Sequence, residues 1–192
     1  MVTNSKSFIL AASLLFLSSC EDGGFSGIGG GGCDQCVIFV SATGSNGNLG
    51  GVSGADGICA ADANKPASGT FKALVGAPGV RQGTIGSQID WVLKPSTQYV
   101  RKDGTLIATT DTDGLIQGAL TNSISAIAVA GGIMTGLSDN GTPQQHCQSW
   151  TSGLVGDGVS LGVAISPDQT AWVNNSASTC NTTTRKIYCV QQ

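Results

Sequence analysis

Charge is scarce in this chain, and the charge that is present is not basic. Lysine, arginine, aspartate and glutamate make up 11% of the 192 residues, compared with about 25% in an average soluble protein. Nine basic residues stand against twelve acidic ones, so the chain lacks the basic surface that nucleic acid binding requires. Hydrophobic residues nevertheless make up 40% of the chain and the net charge is only -3. This composition favours a folded core over disorder.

The chain also lacks a recognisable catalytic or metal-binding set of residues. Its single histidine, His146, lies beside Cys147, and no nucleophile-elbow pattern accompanies the serines, so we expect a surface or interface histidine. Its single glutamate is Glu21, and nothing singles out a pair of aspartates for glycoside hydrolysis. Residues 111–114 (DTDG) imitate only part of a calcium loop, and these residues and 139–141 (DNG) predict turns. We expect neither an enzyme nor a cofactor.

The N-terminal residues resemble an export signal. Lys6 precedes an apolar run at residues 8–17, which is too short to span a bilayer because spanning takes about 20 residues. Residues 17–20 (LSSC) resemble the bacterial lipobox. The resemblance implies that residues 1–19 are a signal peptide and that Cys20 is lipidated, which would anchor the chain at the outer membrane or cell surface. The alternative is an ordinary secretory signal with Cys20 left unpaired.

Glycine is abundant, with 29 residues, and part of it marks a tether. Seven of the ten residues at 23–32 are glycine, so this segment has high chain entropy and little apolar surface to bury. We therefore predict a lipidated cysteine and tether over residues 20–36 and a folded domain over residues 37–192.

The pattern within the domain predicts an α+β fold with short strands and one clear helix. The helix is expected to begin with Ser53 as N-cap and Asp56 three residues later, to bury Cys59 on its apolar face, and to end before Pro66. Residues 126–134 are apolar and predict buried core. Further core residues are expected to be Trp91, Trp150 and Trp172. Strands are expected at residues 37–41, 70–75, 90–93, 99–107 (a hairpin turning at 103–104), 133–137, 170–173 and 186–190.

Six cysteines remain once Cys20 is set aside: Cys33, Cys36, Cys59, Cys147, Cys180 and Cys189. An even number in an exported chain predicts three disulfide bonds, with about 15 possible connectivities. Spacing alone does not choose among them.

An ordered set of short motifs resembles those of endostatin, a collagen-derived fragment with a C-type-lectin-like fold. These motifs are residues 54–59 (GADGIC), 69–73 (GTFKA), 147–150 (CQSW), 176–180 (SASTC) and 187–189 (IYC). Together with residues 47–51, 90–95 and 120–124, they also resemble the leptospiral endostatin-like lipoproteins. The resemblance implies a loop-rich, disulfide-tied C-type-lectin-like fold. It also implies that Cys59 pairs with Cys189 and Cys147 with Cys180, which leaves a local bond between Cys33 and Cys36; a redox role for that last pair is the alternative.

Two features depart from the family pattern. Met134 stands where the family commonly has tryptophan, and residues 76–87 lack the helix that endostatin has in this part of its chain.

The triplets with which sugar-binding C-type lectins ligate calcium are not intact here. The three arginines, Arg81, Arg101 and Arg185, are too few for endostatin-like heparin binding, and the Arg-Lys pairs at 101–102 and 185–186 predict solvated turns or strand edges.

The function that the resemblance implies is a surface binding module, an adhesin or immune-evasion lipoprotein. The expected partners are laminin, fibronectin, plasminogen and complement factor H, with contact residues in loops at residues 137–172. The alternatives are a carbohydrate-binding module, an enzyme of the lectin-like fold, and a structural envelope lipoprotein without a host ligand.

Overall fold

The computed structural model describes Met1, Cys33 and residues 35–192. The expected signal peptide (apart from Met1), Cys20 and the glycine-rich residues 23–32 lie outside the described residues and stay predictions. In chain order the elements are β1 (Gln35–Val40), α1 (Gly51–Ala61), β2 (Phe71–Ala73), β3 (Gln98–Val100), β4 (Leu106–Thr109), β5 (Ile133–Met134), a four-residue helical turn (Cys147–Trp150), β6 (Gly158–Gly162), β7 (Ser176–Thr179) and β8 (Tyr188–Gln191).

Two open sheets organise the domain. The larger has the order β2-β8-β1-β3-β4 and the smaller has the order β5-β6-β7. The first and last strands lie side by side, with Ile38 opposite Val190 in an antiparallel pair, while β1 and β3 are parallel. The α+β class with mostly strands and one clear helix is thereby confirmed. Among the described helices none has the length and hydropathy that a membrane crossing requires.

The helix α1 begins three residues earlier than its sequence predicts. Gly50 is the N-cap, with a left-handed φ of 79° that glycine adopts without steric cost, and no side chain caps the helix. The expected capping role of Ser53 and Asp56 is wrong, because the Asp56 carboxylate instead binds Arg81 and the Ala73 amide. The buried face carries Val52, Ala55 and Cys59, as expected for Cys59.

The core confirms most of the aromatic residues expected there. Trp150 is fully buried and Trp172 is nearly so, whereas Trp91 is half-buried against the core. Tyr188 lies beside Trp172 and donates its hydroxyl to the Trp172 carbonyl at 2.8 Å. Met134, at the position where the family commonly has tryptophan, is fully buried in β5.

Several local expectations are confirmed. The hairpin turns at residues 102–104 between β3 and β4, and residues 111–114 and 139–141 form turns or bends. Asp111 stabilises its turn by accepting hydrogen bonds from Asp113 N at 2.9 Å and Leu115 N at 2.8 Å. Residues 76–87 contain no helix, as the sequence indicates.

Other expectations are wrong. Residues 170–173 form a turn, closed by a 2.7 Å hydrogen bond from Asn174 N to the Thr170 carbonyl, and residues 90–93 lie outside the strands. Of the apolar run at residues 126–134, only Ile133 and Met134 are buried, and residues 126–130 form an exposed loop in which Ile127 is 76% exposed. Strands β6 and β7 escaped prediction because they are short and rich in glycine, serine and alanine.

Three disulfide bonds join the six cysteines of the described residues. Cys59 of α1 is bonded to Cys189 of β8, Cys147 is bonded to Cys180, and Cys33 is bonded to Cys36 at the start of β1. These pairings coincide with those that the resemblance implies. The longest of them ties α1 to the last strand, so it closes almost the whole domain.

Candidate functional site

The chain leaves β1 at Val40 and enters a loop, residues 41–48, that touches several distant segments. Ser45 N donates to the Arg185 carbonyl at 2.8 Å. Gly47 lies under the Cys147–Cys180 disulfide, where a Cβ would stand 2.2 Å from Cys147 Sγ, so only glycine fits. The backbones of Asn48 and Thr151 form an isolated antiparallel β-bridge. We call this part of the domain the distal end and define it as residues 41–48, 124–130, 151–157 and 182–186.

The distal end lies away from the point at which the chain enters the domain. Cys33 precedes β1, and the strand then runs about 17 Å from Gln35 to Val40 at the usual rise per residue. The C-terminus lies back near the entry point, since Val37 N donates to the Gln191 side chain at 3.0 Å. Residues 41–48 therefore begin at the end of β1 opposite to Cys33 and Gln191.

A groove runs across the distal end beside the exposed loop of residues 126–130. Its larger section has a volume of about 550 Å³ and its smaller section about 290 Å³. The two sections adjoin, because both are lined by Val40, Asn64 and Ser125. The smaller section continues to Arg101, Lys102 and Asp103, and the larger one to Thr183, Thr184 and Lys186.

The groove is positively charged within a negatively charged chain. Arg101, Lys102 and Lys186 line it, and among the described residues Asp103 is its one carboxylate. Lys102 is exposed in the hairpin turn, as its sequence predicts, while Arg101 is half-buried and its Nε finds no hydrogen-bond partner among the described residues. The groove therefore offers cationic groups to a ligand.

The floor of the groove contains an unpaired edge of β1. Strand β3 pairs only with residues Gln35 to Val37, and the next three residues pair with β8 on the opposite side. Because backbone groups alternate along a strand, the Ile38 carbonyl and the Val40 N–H point away from β8 and into the groove. Among the described residues, no backbone hydrogen bond from a loop reaches either group, and the Asn64 amide covers the Val40 carbonyl at 3.0 Å.

A left-handed turn lies next to the distal end. Cys147, Gln148, Ser149 and Trp150 have φ values of 49°, 54°, 55° and 68°, a conformation that costs L-residues about 1–2 kcal/mol each. The fold holds the turn in place through the disulfide at Cys147 and through a 2.9 Å hydrogen bond from Trp150 Nε1 to the Gly76 carbonyl. Such strain persists only where the surrounding structure enforces it.

Relief of this strain is expected to stabilise the protein. We predict that Ser149→Gly raises the free energy of unfolding by about 1 kcal/mol, because glycine adopts positive φ without a Cβ clash. The matched control is Ser149→Ala, which keeps the Cβ and should leave stability unchanged. Urea unfolding measures both, and a Ser149→Gly protein no more stable than the alanine variant would contradict the prediction.

His146 begins this turn and faces a small polar pocket of about 190 Å³. Its Nδ1 accepts a 2.8 Å hydrogen bond from Ser149 N. Across the pocket, Asp157 accepts hydrogen bonds from Gln148 and Ser152, which hold the pKa of its carboxyl below the ordinary value. The Ser152 hydroxyl thus donates its hydrogen bond to Asp157 and not to His146. The histidine caps the turn beside a disulfide.

Arg185 contradicts the expectation of a solvated basic pair. It is 4% exposed and hydrogen-bonds through Nη2 to the hydroxyls of Ser178 and Thr182 at 2.5 and 3.2 Å, while its Nε and Nη1 have no partner in the described residues. Burial lowers the pKa of its guanidinium. Arg185 therefore holds β7 against the segment before β8, whereas Lys186 lines the groove.

A buried ion-pair network at Arg81 was missed by sequence reasoning. The Arg81 guanidinium forms a bidentate pair with Asp56 at 2.7 and 2.8 Å, bonds Asp90, and donates to the Ala73 carbonyl at 2.8 Å. Burial alone would lower the pKa of Arg81, but the hydrogen bonds to both carboxylates outweigh it and raise that pKa. For Asp90, burial opposes the hydrogen bonds from Lys72 and Arg81, which prevail and lower its pKa. The network joins α1 to β2 and to the loop after it.

The expected contact surface at residues 137–172 is only partly at the distal end. Residues 151–157 belong to it and carry Leu154 and Val155, each 69% exposed. Sequence reasoning did not predict the groove. The apolar residues 126–130 that line it were expected in the core. In the described ranges, no three His, Cys, Asp or Glu side chains cluster as metal ligands.

Comparison with known proteins gives a family but no function. No curated protein matches the chain. The sequence profile of the family described as Protein of unknown function (DUF1554) matches residues 42–166, which is most of the folded domain and includes α1, the exposed loop and the left-handed turn. The chain belongs to this DUF1554 family.

Proposed function

We propose that this protein is a lipid-anchored surface binding module of the endostatin-like, C-type-lectin-like type. Its role is to bind host proteins, namely extracellular matrix proteins such as laminin and fibronectin, plasminogen, or the complement regulator factor H. Catalysis has no part in this role. Cys20 holds the chain at the outer membrane, and residues 23–32 separate the domain from that surface.

The proposed fold is supported by the arrangement of the termini and the disulfides. The first and last strands pair in one sheet, and the Cys59–Cys189 bond ties α1 to β8. The Cys147–Cys180 bond lies in the part of the chain that follows β5. Both pairings match what the resemblance to endostatin-like lipoproteins implies.

The observation that carries the proposed role is the exposure of large apolar side chains at the distal end. Ile127 is 76% exposed, and Leu154 and Val155 are each 69% exposed. Exposed apolar loops are typical of protein interaction sites, and Ile127 also lines the groove. They lie at the end of β1 opposite the residue, Cys33, through which the tether joins the domain.

Cells that produce the full chain should adhere to immobilised laminin, fibronectin, plasminogen or factor H in a saturable manner. We expect Ile127→Ser to weaken that adhesion at least tenfold, because it removes an apolar group from the contact surface. The matched control is Ile85→Ser, since Ile85 is 60% exposed but lies outside the groove.

The same cells test the anchor. A labelled fatty acid should tag the wild-type chain and not Cys20→Ala, and equal labelling of the two would contradict lipidation. Absence of saturable binding to all four host proteins would overturn the proposed role, and retention on glycans that a calcium chelator abolishes would favour a lectin instead.

A further inference from the structure

The groove at the distal end contains an open edge of β1. The Ile38 carbonyl and the Val40 N–H form an acceptor and a donor two residues apart on an open strand edge, and a pairing strand requires this spacing. We infer that an acidic, extended segment of a partner protein adds to β1 at residues 38–40 as a further short strand. This inference rests on the proposed binding function and names the chemistry of the partner.

The walls of the groove explain why the partner segment should be acidic. In the part of the chain that the structure describes, Arg101, Lys102 and Lys186 line it together with one carboxylate, that of Asp103. Carboxylates on an added strand would meet cations in both sections of the groove, and basic segments would be repelled. Lys102 is exposed, so its contribution should depend on ionic strength.

The exposed loop of residues 126–130 explains the apolar part of the contact. Ile127 and residues 128–130 line the larger section together with Gly44 and Thr184. Alternate side chains of an added strand point to opposite faces. Small or β-branched residues alternating with acidic ones therefore suit the groove, with the apolar side chains against this loop.

The test uses the full chain and a labelled seven-residue peptide in which valine alternates with glutamate. Fluorescence anisotropy should show saturable binding that is at least tenfold tighter than that of a twin peptide with lysine in place of glutamate. Methylation of the peptide nitrogens that face β1 should abolish binding, because it removes the pairing donors without changing the protein.

Variants of the protein test the same edge. Val40→Pro removes a groove-facing N–H that bonds neither β8 nor, among the described residues, any loop backbone. It should weaken binding at least tenfold relative to Val40→Ala, which shortens the same side chain but keeps the N–H. Lys186→Glu should weaken binding, whereas Lys94→Glu makes the same charge change outside the groove and should not.

The inference is overturned if the charge-reversed or methylated peptides bind as well as the original, or if no peptide binds. Binding to phosphatidylglycerol vesicles that Val40→Pro leaves unchanged would also overturn it, in favour of a lipid surface. Wild-type adhesion to a host protein that Val40→Pro does not reduce would refute the peptide groove and leave the proposed function standing. Absence of wild-type adhesion together with tight peptide binding would refute the proposed host-binding function and leave the peptide groove standing.

Discussion

Removal of the Cys59–Cys189 disulfide by alanine at both positions is expected to lower the free energy of unfolding by about 5 kcal/mol. The bond closes a loop with a sequence separation of 130 residues, and both cysteines are fully buried. Without it, the unfolded chain gains the entropy that closure of this loop had removed. Since domains of this size are stable by only about 5–15 kcal/mol, we expect between about a third and all of the stability to be lost.

The other two disulfides provide an internal scale for this prediction. Loss of the Cys147–Cys180 bond, with a separation of 33 residues, should cost about 4 kcal/mol, and loss of the Cys33–Cys36 bond, with a separation of 3 residues, should cost about 2 kcal/mol. Urea unfolding of residues 33–192 measures all three double-alanine variants. Equal costs, or the reverse order, would show that loop closure is not how these bonds stabilise the domain.

Asp56→Ala is expected to lower the free energy of unfolding by about 3 kcal/mol. Asp56 accepts two hydrogen bonds from the guanidinium of Arg81, whose side chain is 1% exposed, and a third from Ala73 N. The substitution leaves a buried cation with only Asp90 as a charged partner and leaves the Ala73 amide without its acceptor. Asp56→Asn keeps the shape and one acceptor, so it should cost less than the alanine substitution.

Asp113→Ala is the matched control, because it removes one carboxylate from an exposed turn position and should change stability by less than about 0.5 kcal/mol. The prediction is a loss of about 3 kcal/mol, and chemical denaturation would contradict it if Asp56→Ala stayed within about 1 kcal/mol of the wild type.

The pKa of Asp90 is lowered in the fold from its ordinary value of 3.8. The contribution of the Asp90 carboxylate to the free energy of unfolding is therefore complete above this value and is lost as the pH falls through the lowered pKa.

The elements predicted well are those that local pattern determines. The β-branched run of β1 produced a strand, the Asp103-Gly104 pair produced a hairpin turn, and the apolar spacing around Cys59 produced α1. In each case the signal lies within a few residues, so neighbouring residues suffice to select the backbone conformation.

The elements predicted badly are those that depend on distant partners. Strand β7 has a small polar sequence and exists because β6 pairs with it over four residues. Residues 170–173 are apolar enough for a strand, yet Trp172 and Val173 reach the core from a turn. Propensity alone does not distinguish these cases, because packing against the rest of the chain overrides it.

The candidate site shows the same division. The sequence contains few charged residues and predicts no catalytic set. It does not show which residues of a given type are exposed and which are buried. Arg185 and Lys186 are adjacent in the sequence, and the fold buries the first while the second lines the groove. The apolar residues 126–130 were expected in the core, and the tertiary structure leaves them exposed beside an unpaired strand edge.

The sequence by itself determined the class of the fold, the main helix and the first and last strands, since these follow from local periodicity and turn chemistry. It also supplied the motifs from which the disulfide pairing and the binding role are inferred. Only the tertiary structure decided where β3 stops pairing with β1 and which side chains surround the exposed edge. That outcome depends on contacts between residues more than sixty positions apart, and no local pattern encodes such contacts.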